Sequence, residues 1–404
     1  MCHTRYILKC QRDYSMNEGD APIRIGCKNC GHTIRGKIGI SGIIFDEDRF
    51  IDDNLLMNEA DCIGISAELP IVKDLFYFKT QIFSSGPYMA LLPSFTFEQI
   101  GTHSIRIKYL VNFSTHELVK LKNIYSVAKR GNADAFNTYA KKEFGMSEGS
   151  EVNSIDMYTD VLAILGQVFK IIVSLEYHNI FTQTSILPII NAIKSSSTVK
   201  LENLRMEIEE NVSLEDEFTK GLDLCFSFLD KLTSFYPVML LLNMDDFSKE
   251  FKDKCYLSTT EYDDVKHLFA ENFEFLSRMS VLFVGIDNMK ERSDYDAFPM
   301  SPLSWNLAKY RDLDNGQKNK ILVNFPVLDK YFARTLDNQI RNGINHEKIQ
   351  YDSVSQIITY NPFIKRPKDS KDIALIDFCF IILQQSIKVY ESICVLDAFL
   401  RKTR

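Results

Sequence analysis

The segment Ile373–Arg401 reads IALIDFCFIILQQSIKVYESICVLDAFLR, and its apolar residues fall on most sides of an α-helix. A helix of this kind is expected to be buried on most of its surface. Its most apolar part, Ile373–Leu383, carries Asp377 and is too short to cross a bilayer. The segment therefore predicts a core helix in a mainly helical C-terminal domain.

Helical patterns also dominate the chain upstream of this segment, from about residue 115 onward. We predict further helices over 116–130, with Thr115 as a possible N-cap, and over 155–181, 214–242, 260–289 and 327–344. Strand composition returns at Ile349–Tyr360, where Asp352 and Ser353 could form the turn of a short hairpin. Before residue 115, Ser104–Tyr109 alternates between polar and apolar residues as a half-buried strand does.

These patterns predict an α+β protein with a smaller, mixed or β-rich N-terminal region. A predominantly helical bundle with one short β-hairpin follows it. The small and polar stretch Glu148–Ser154 is typical of a domain boundary. We therefore expect three successive regions, which span residues 1–50, 51–150 and 151–404.

The overall charge limits the classes of partner. The chain has 404 residues, with 47 basic and 54 acidic side chains, and a formal net charge of -7. This balance argues against a surface that coats duplex DNA non-specifically, although it allows a local basic groove. The N-terminus shows no export signal, so we expect a cytoplasmic protein, with no membrane association, whose thiols stay reduced.

Four of the nine cysteines lie within the first thirty residues, at Cys2, Cys10, Cys27 and Cys30. The stretch Cys27-Lys28-Asn29-Cys30-Gly31 resembles a zinc knuckle, because two intervening residues let both thiolates reach one metal. We expect a structural Zn²⁺ ion held by Cys27, Cys30, Cys10 and Cys2. His3 could replace Cys2, and His32 is a further candidate. The alternative is a pair of reduced thiols, or a redox pair, in a small β domain.

A second group of polar side chains lies in the segment Asp337–Glu347, which reads DNQIRNGINHE. Leu336, Ile340 and Ile344 are spaced four apart, so they define one apolar helix face. The remaining side chains Arg341, Asn342, Asn345 and His346 lie off that face. An arginine can bind a phosphodiester, and a histidine can transfer the proton during attack by a ribose 2′-OH. Such cleavage needs no metal ion. The alternative is a surface arginine and a histidine that caps the helix C-terminus.

The spacing of Arg341 and His346 affects how they could act together. Five residues at about 100° each place them roughly 140° apart on an ideal helix. They can converge if the helix loosens near Gly343, or if two protomers combine their residues.

The hexapeptide Arg341–His346 resembles the Arg-Asn-x-x-x-His form of the HEPN motif. Its context is also similar, because an apolar helix leads into the motif, and a short strand pair and a long apolar helix follow it. The resemblance covers residues 325–400 and extends back to about 155. It implies that Arg341 and His346 are catalytic, with Asn342 as the polar residue beside the arginine. It also implies a homodimer through the C-terminal domain, with two motifs facing one groove.

The resemblance implies a metal-independent endoribonuclease that acts in phage defence, as in abortive infection, or as a toxin. RNA would be its substrate. Some HEPN proteins have lost catalysis, so the alternative is a module that binds RNA or a protein partner. A third possibility is a helical scaffold in which the motif is coincidental.

Overall fold

The computed structural model describes most of the chain. The described residues are 2, 4–11, 20–39, 42–46, 61–78, 87–145, 154–173, 186–243, 253–299, 305–345, 349–362 and 369–404.

Eleven strands are described, and all of them are short. In chain order, β1 to β11 are Tyr6–Gln11, Ala21–Gly26, Thr33–Gly39, Gly42–Phe45, Asp61–Ser66, Ile71–Val72, Tyr77–Phe78, Cys255–Tyr256, Ile349–Asp352, Ile357–Tyr360 and Lys371–Ala374. They form three three-stranded sheets, ordered β1-β5-β7, β2-β3-β4 and β11-β10-β9, and one two-stranded pair of β6 with β8.

Helices account for most of the remaining described residues. The α-helices α1 to α16 are Lys73–Phe76, Pro87–Leu91, Phe97–Asn112, Leu118–Lys129, Ala133–Phe144, Ser154–Val173, Leu187–Ser195, Thr198–Glu209, Leu214–Asp230, Leu232–Met239, Tyr262–Arg292, Leu307–Arg311, Asn315–Leu322, Pro326–Phe332, Asn338–Asn345 and Leu375–Lys402. A π-helical turn, Phe113–Glu117, joins α3 to α4, and a 3₁₀ turn, Leu240–Asn243, follows α10.

The chain forms two compact units, each built from separate stretches of sequence. Unit 1 comprises Met1–Leu118, Leu229–His267 and Asn342–Leu383, and it contains every described strand. Unit 2 comprises Val119–Phe228, Leu268–Arg341 and Gln384–Arg404, and its described elements are helical. These units do not coincide with the successive regions 1–50, 51–150 and 151–404. Several unit boundaries fall inside continuous helices, where the sequence has no linker composition.

The core of unit 1 contains isoleucine pairs from strands β2 and β5. Ile23 and Ile25 of β2 and Ile63 and Ile65 of β5 are fully buried, and each pair is two residues apart. Successive side chains of a strand point to opposite faces, so each pair lies on one face of its strand. Strands β1 and β5 run parallel, with Tyr6 opposite Asp61 and Gln11 opposite Ser66.

The core of unit 2 is rich in aromatic side chains. The ring of Phe283 on α11 stacks against Tyr331 of α14, with ring centroids 5.1 Å apart, and lies edge-on to Phe332. Gly285 lets a helix approach closely, because a Cβ atom there would lie 2.6 Å from a Leu204 methyl group. Aromatic burial of this kind is a major source of helix packing energy.

The α+β class is confirmed, with a β-rich N-terminal part and a helical C-terminal part. The predicted hairpin is present as β9 and β10, which pair antiparallel, and β11 adds a third strand. The predicted final helix is present as α16. Among the described residues it is the one single helix long and apolar enough to cross a membrane. However, 78% of its most apolar window is buried within the protein, as in a core helix.

Two predicted helices are interrupted. The stretch 214–242 divides at Lys231 into α9 and α10. The stretch 327–344 divides into α14 and α15, because Ala333 and Arg334 leave the helical conformation and Arg334 has a φ of 66°. The prediction for 155–181 is confirmed as far as Val173, and its remainder lies outside the described residues.

The predicted strand Ser104–Tyr109 is wrong, since these residues lie inside helix α3. A capping box begins this helix: the Thr96 hydroxyl accepts from the backbone N–H of Gln99, and the Gln99 side chain accepts from the N–H of Thr96. The buried residues then follow helical spacing, at Ile100, His103, Arg106, Ile107 and Leu110. This cap and spacing outweigh the short local alternation. The helix predicted from His116 is present, but Thr115 is not its cap, because α3, the π-helical turn and α4 are continuous.

Candidate functional site

Arg341 lies in the first turn of helix α15. Asp337 caps this helix, since its carboxylate accepts from the backbone N–H groups of Gln339 and Ile340 at 2.8 and 3.2 Å. Ile340 is buried, as its position on the predicted apolar face requires. Arg341 is off that face, and its side chain is 26% exposed. Ile340 and Arg341 thus lie on the predicted sides of the helix, but Leu336 precedes α15 and Ile344 is only half-buried.

The Arg341 guanidinium is held by Glu274 of helix α11. Its Nε and Nη2 groups both donate to the same oxygen, Oε1, at 2.8 and 2.6 Å. The Glu274 side chain is 38% exposed, so this ion pair lies at the surface of unit 2. The charge-assisted contacts orient a guanidinium whose five N–H groups allow further contacts.

The second oxygen of Glu274 is held from helix α13. The amide nitrogen Nδ2 of Asn315 donates to Glu274 Oε2 at 3.3 Å. The amide oxygen of Asn315 accepts from the Ser277 hydroxyl at 2.6 Å. The Arg341 side chain is thus positioned by a polar chain of unit 2 residues, which lie on helices α11, α13 and α15.

The other predicted motif residues are placed only in part. Asn342 is half-buried and belongs to unit 1, whereas Arg341 belongs to unit 2. His346 lies outside the described residues, so its position relative to Arg341 stays a prediction. Helix α15 continues through Asn345 without a break at Gly343. Gly343 instead permits close packing, because a Cβ atom there would lie 2.9 Å from Cβ of Tyr360.

The predicted zinc knuckle forms the turn between β2 and β3. The backbone N–H of Cys27 donates to the His32 carbonyl at 2.8 Å, and the N–H of Gly31 donates to the Cys27 carbonyl at 2.7 Å. Gly31 has a φ of 70°, which glycine adopts without strain. The turn is also held by Ser353, whose hydroxyl donates to the Gly31 carbonyl at 2.6 Å.

Two ion pairs anchor the same hairpin within unit 1. Arg24 of β2 and Arg35 of β3 are directly opposite each other. Arg24 donates to Asp264 at 2.9 Å, and Arg35 contacts Glu261 at 2.5 to 2.8 Å. Glu261 and Asp264 lie at the beginning of helix α11, where acidic residues also favour the helix dipole. The knuckle is therefore carried on a supported hairpin.

The structure brings together three thiols at this turn. The sulfur atoms of Cys2, Cys27 and Cys30 all lie within 4.8 Å of one another, and those of Cys2 and Cys27 are 3.7 Å apart. Cys27 is buried, whereas Cys2 and Cys30 are exposed. Three sulfur ligands at this spacing could hold a metal ion that prefers soft ligands.

Hydrogen bonds favour the thiolate form at two of these cysteines. The Thr4 hydroxyl, 3.0 Å from the Cys2 sulfur, is the main cause that lowers the pKa of Cys2 to about 6. At Cys27, burial raises the pKa, but the Tyr6 hydroxyl at 3.3 Å and nearby backbone N–H groups outweigh it and lower the pKa overall. At Cys30 the His32 backbone N–H lowers the pKa, but the two neighbouring thiols raise it above its usual value.

Cys10, the remaining predicted ligand, is not part of this thiol group in the described residues. It lies on β1, four residues beyond Tyr6, whose hydroxyl is beside Cys27. An extended strand rises about 3.3 Å per residue, so Cys10 is roughly 13 Å farther along. The predicted four-cysteine set is therefore corrected to Cys2, Cys27 and Cys30. His3 lies outside the described residues, and His32 is not in the group.

Three side chains that shape these sites lie outside every motif in the sequence. Glu274 and Asn315 position Arg341, and Tyr6 contacts Cys27. No short motif contains them, because each is far along the chain from the residue that it contacts. The sequence contains one signal for Tyr6, because this residue is aromatic and lies close to Cys2 in a cysteine-bearing stretch.

Comparison with known protein families, with curated proteins and with solved structures gives no match for this chain.

Proposed function

We propose that this protein is a HEPN-type endoribonuclease that cleaves RNA without a catalytic metal. The sequence motif Arg341–His346 motivates the proposal. The observation that carries it furthest is the partly exposed Arg341 guanidinium, oriented by Glu274 at the beginning of the motif helix. An arginine held in this way is suited to bind a phosphodiester and to stabilise the charge of its transition state.

The proposed chemistry uses the ribose 2′-OH as nucleophile. His346 would accept the proton of the 2′-OH or donate a proton to the departing 5′-oxygen. Arg341 would contact the non-bridging phosphate oxygens, where negative charge increases during attack. Asn342, beside the arginine, would contribute a polar contact to the RNA. The products would be a 2′,3′-cyclic phosphate and a 5′-hydroxyl end.

The wider role follows from the same resemblance. HEPN proteins of this motif form act in antiviral defence, including abortive infection, and in toxin systems, so we propose one of these roles in the cytoplasm. We also propose a homodimer through the C-terminal domain. A module that binds RNA or a protein partner without cleavage is the alternative, and a scaffold with a coincidental motif is a third.

For the N-terminal hairpin we propose a structural Zn²⁺ ion bound by Cys2, Cys27 and Cys30. The donor chemistry fits this metal, because zinc binds thiolates and two of the thiols have a lowered pKa. A structural zinc site normally takes four ligands, and His3 is the nearest sequence candidate for the fourth. Bound zinc would hold the residues before β1 against the β2–β3 turn.

A cleavage assay on total RNA tests the enzymatic proposal. Wild-type protein is expected to fragment RNA, and His346→Ala should lower the rate by roughly 10² or more. His267→Ala is a matched control, because His267 is an exposed histidine on helix α11. Binding of RNA by wild type without cleavage would favour the non-catalytic alternative. Neither binding nor cleavage would favour the scaffold.

A further inference from the structure

Lys318 is a buried lysine with an unusual environment in unit 2. It lies on helix α13, and only 7% of the residue is exposed. Its ammonium group forms no hydrogen bond or ion pair with any residue in the described part of the chain. The ammonium nitrogen still reaches solvent, since it is not one of the described polar atoms that are both enclosed and unpartnered. Lys318 therefore has a buried aliphatic stem and an unpaired ammonium that meets solvent, so the ammonium can contact a ligand that arrives from solution.

The charged groups around Lys318 connect it to Arg341. Burial lowers the pKa of Lys318 and nearby Arg278 lowers it further, while Asp312 and Glu274 oppose this shift. Glu274 is the carboxylate that holds Arg341. Asn315, one helical turn before Lys318 on α13, donates to the other oxygen of Glu274. The Lys318 ammonium is therefore within electrostatic range of the carboxylate that holds Arg341.

Lys318 is the unpaired cation of a locally balanced group of charges. Three cations, Lys318, Arg341 and Arg278, lie near three carboxylates, Glu274, Glu217 and the largely exposed Asp312. Arg278 is itself paired with Glu217 at 3.0 Å, so Lys318 is the member of this group whose charge lacks a direct partner. A phosphate oxygen would supply that partner, and lysine commonly binds phosphate as a point charge.

We infer that Lys318 is a second phosphate-binding residue beside Arg341, and that its ligand is the phosphodiester backbone of single-stranded RNA. This inference rests on the proposed ribonuclease function and extends it, since it adds a backbone contact outside the motif. Lys318 positions the strand, whereas Arg341 contacts the reacting phosphate. Two cations on adjacent phosphates would fix the register of the strand, because backbone contacts position a nucleic acid.

Binding of an uncleavable probe tests the inference apart from catalysis. The probe is a short single-stranded oligodeoxynucleotide, which lacks the 2′-OH and cannot react. We expect Lys318→Met to weaken its binding about tenfold and to lower the slope of log affinity against log salt by roughly 0.7. Lys318→Arg should retain most of the binding. Lys320→Met is the matched control, because Lys320 is an exposed lysine on the same helix, and it should bind as wild type does.

A protection experiment on the wild-type protein covers the case in which Lys318→Met does not fold. Lysines are acetylated with and without the oligonucleotide, and the modified peptides are quantified by mass spectrometry. The probe should protect Lys318 and leave Lys320 reactive. Equal reactivity of Lys318 in both samples, or unchanged binding and salt slope in Lys318→Met, would overturn the inference.

Two further outcomes separate this inference from the proposed function. If probe binding depends on Lys318 but the protein cleaves no RNA, the phosphate site is retained and the nuclease is rejected. If cleavage depends on His346 but not on Lys318, and Lys318→Met binds the probe as wild type does, the phosphate site is rejected and the nuclease is retained. Inorganic phosphate that displaces the probe at an equal phosphate concentration would indicate a free-anion site and overturn the assignment to RNA.

Discussion

The contact between Glu274 and Arg341 would have two opposing effects on a phosphate bound as we propose. The carboxylate orients the guanidinium through two hydrogen bonds to one oxygen. It also places a negative charge near the phosphate that Arg341 is proposed to bind. The orientation of the guanidinium matters most in the transition state. The repulsion between Glu274 and the phosphate also acts on the bound substrate.

The variant Glu274→Gln separates these effects. We expect the turnover rate on RNA to fall about tenfold, because the uncharged amide holds Arg341 less firmly. Binding of an uncleavable oligonucleotide should stay the same or improve, because a negative charge is lost. Steady-state kinetics and fluorescence anisotropy measure the two quantities. Glu271→Gln, an exposed position one turn earlier on α11, should change neither. A fall in both binding and turnover would contradict the orienting role.

His103 is a buried histidine that should make folding sensitive to acid. Its Nε2 lies 2.8 Å from the Glu68 carbonyl oxygen, and its Nδ1 has no hydrogen-bond partner in the described structure. Burial, together with the nearby Arg106 guanidinium, lowers the pKa of His103 from 6.5 to about 3. The folded protein thus keeps this ring neutral at a pH at which the unfolded chain binds a proton.

This difference in protonation makes the folded protein less stable in acid. The contribution of neutral His103 to the free energy of unfolding is complete above pH 6.5, the pKa of the unfolded chain, and is lost as the pH falls toward 3. The loss is about 1.4 kcal/mol per pH unit at most. Urea unfolding at several pH values should show a flatter profile for His103→Gln than for wild type. The exposed His267→Gln should match wild type, and an unchanged profile in His103→Gln would contradict the explanation.

Individual residues could be predicted from the sequence only where a short motif contains them. Cys27 and Cys30 are confirmed as neighbours because their spacing forces both thiols to one turn. Cys2 lies outside this motif, and the sequence alone does not distinguish it from Cys10 as a ligand, because the strand register is not visible there. Glu274 is an ordinary charged residue in a helical pattern, and its contacts with Asn315 and Arg341 span more than forty residues. The proposed role of Lys318 likewise depends on burial that no local pattern reveals.

Helix caps predict the type of an element better than short alternating patterns do. The alternation in Ser104–Tyr109 suggested a strand, but the Thr96–Gln99 capping box and helical burial place it in α3. The sequence gives no signal for the interruption between α14 and α15, because Ala333–Asp337 contains no glycine or proline. Arg334 instead adopts a positive φ, which few patterns in a single sequence reveal.

The β2–β3 hairpin carries a prediction about metal binding. Purified wild-type protein should contain about one equivalent of zinc, and Cys27→Ser should lose it, because removing one thiolate weakens the site. Cys10→Ser should retain the metal, since Cys10 lies outside the thiol group. Elemental analysis measures both. Chelation should unfold the N-terminal hairpin and leave most helical circular dichroism intact. Zinc below about half an equivalent in wild type would contradict the assignment.

At the scale of the molecule, the division into two discontinuous units could not be read from the sequence. A domain boundary is visible in a single sequence where the composition changes, as at Glu148–Ser154. The unit boundaries at Phe228, His267 and Leu383 instead lie within helices α9, α11 and α16. A continuous amphipathic helix gives no local signal when it passes from one compact unit to another. The class of the fold was predictable because it depends on element types alone.

The unbroken helix α15 supports a prediction about assembly. With no loosening through Asn345, a residue at position 346 would lie roughly 140° from Arg341 if the helical geometry continued. A shared groove in a two-fold dimer would resolve this divergence, with Arg341 from one protomer and His346 from its partner. Arg341→Ala and His346→Ala should each be inactive alone. After unfolding and joint refolding, their mixture should recover roughly one quarter of the activity, because half of the dimers have one intact site. No recovery would contradict the shared site.

The chemical ends of cleaved RNA test the proposed ribonuclease most directly. A synthetic RNA of defined sequence is incubated with the protein, and the products are identified by mass spectrometry. Attack by the 2′-OH predicts 2′,3′-cyclic phosphate and 5′-hydroxyl ends, and a single 2′-deoxy substitution at the cleaved position should block cleavage there. Both Arg341→Ala and His346→Ala should lower the yield of these ends by roughly 10² or more, while Arg130→Ala, an exposed arginine elsewhere in unit 2, should not. Intact RNA, 5′-phosphate ends, or cleavage that persists in His346→Ala would contradict the proposal.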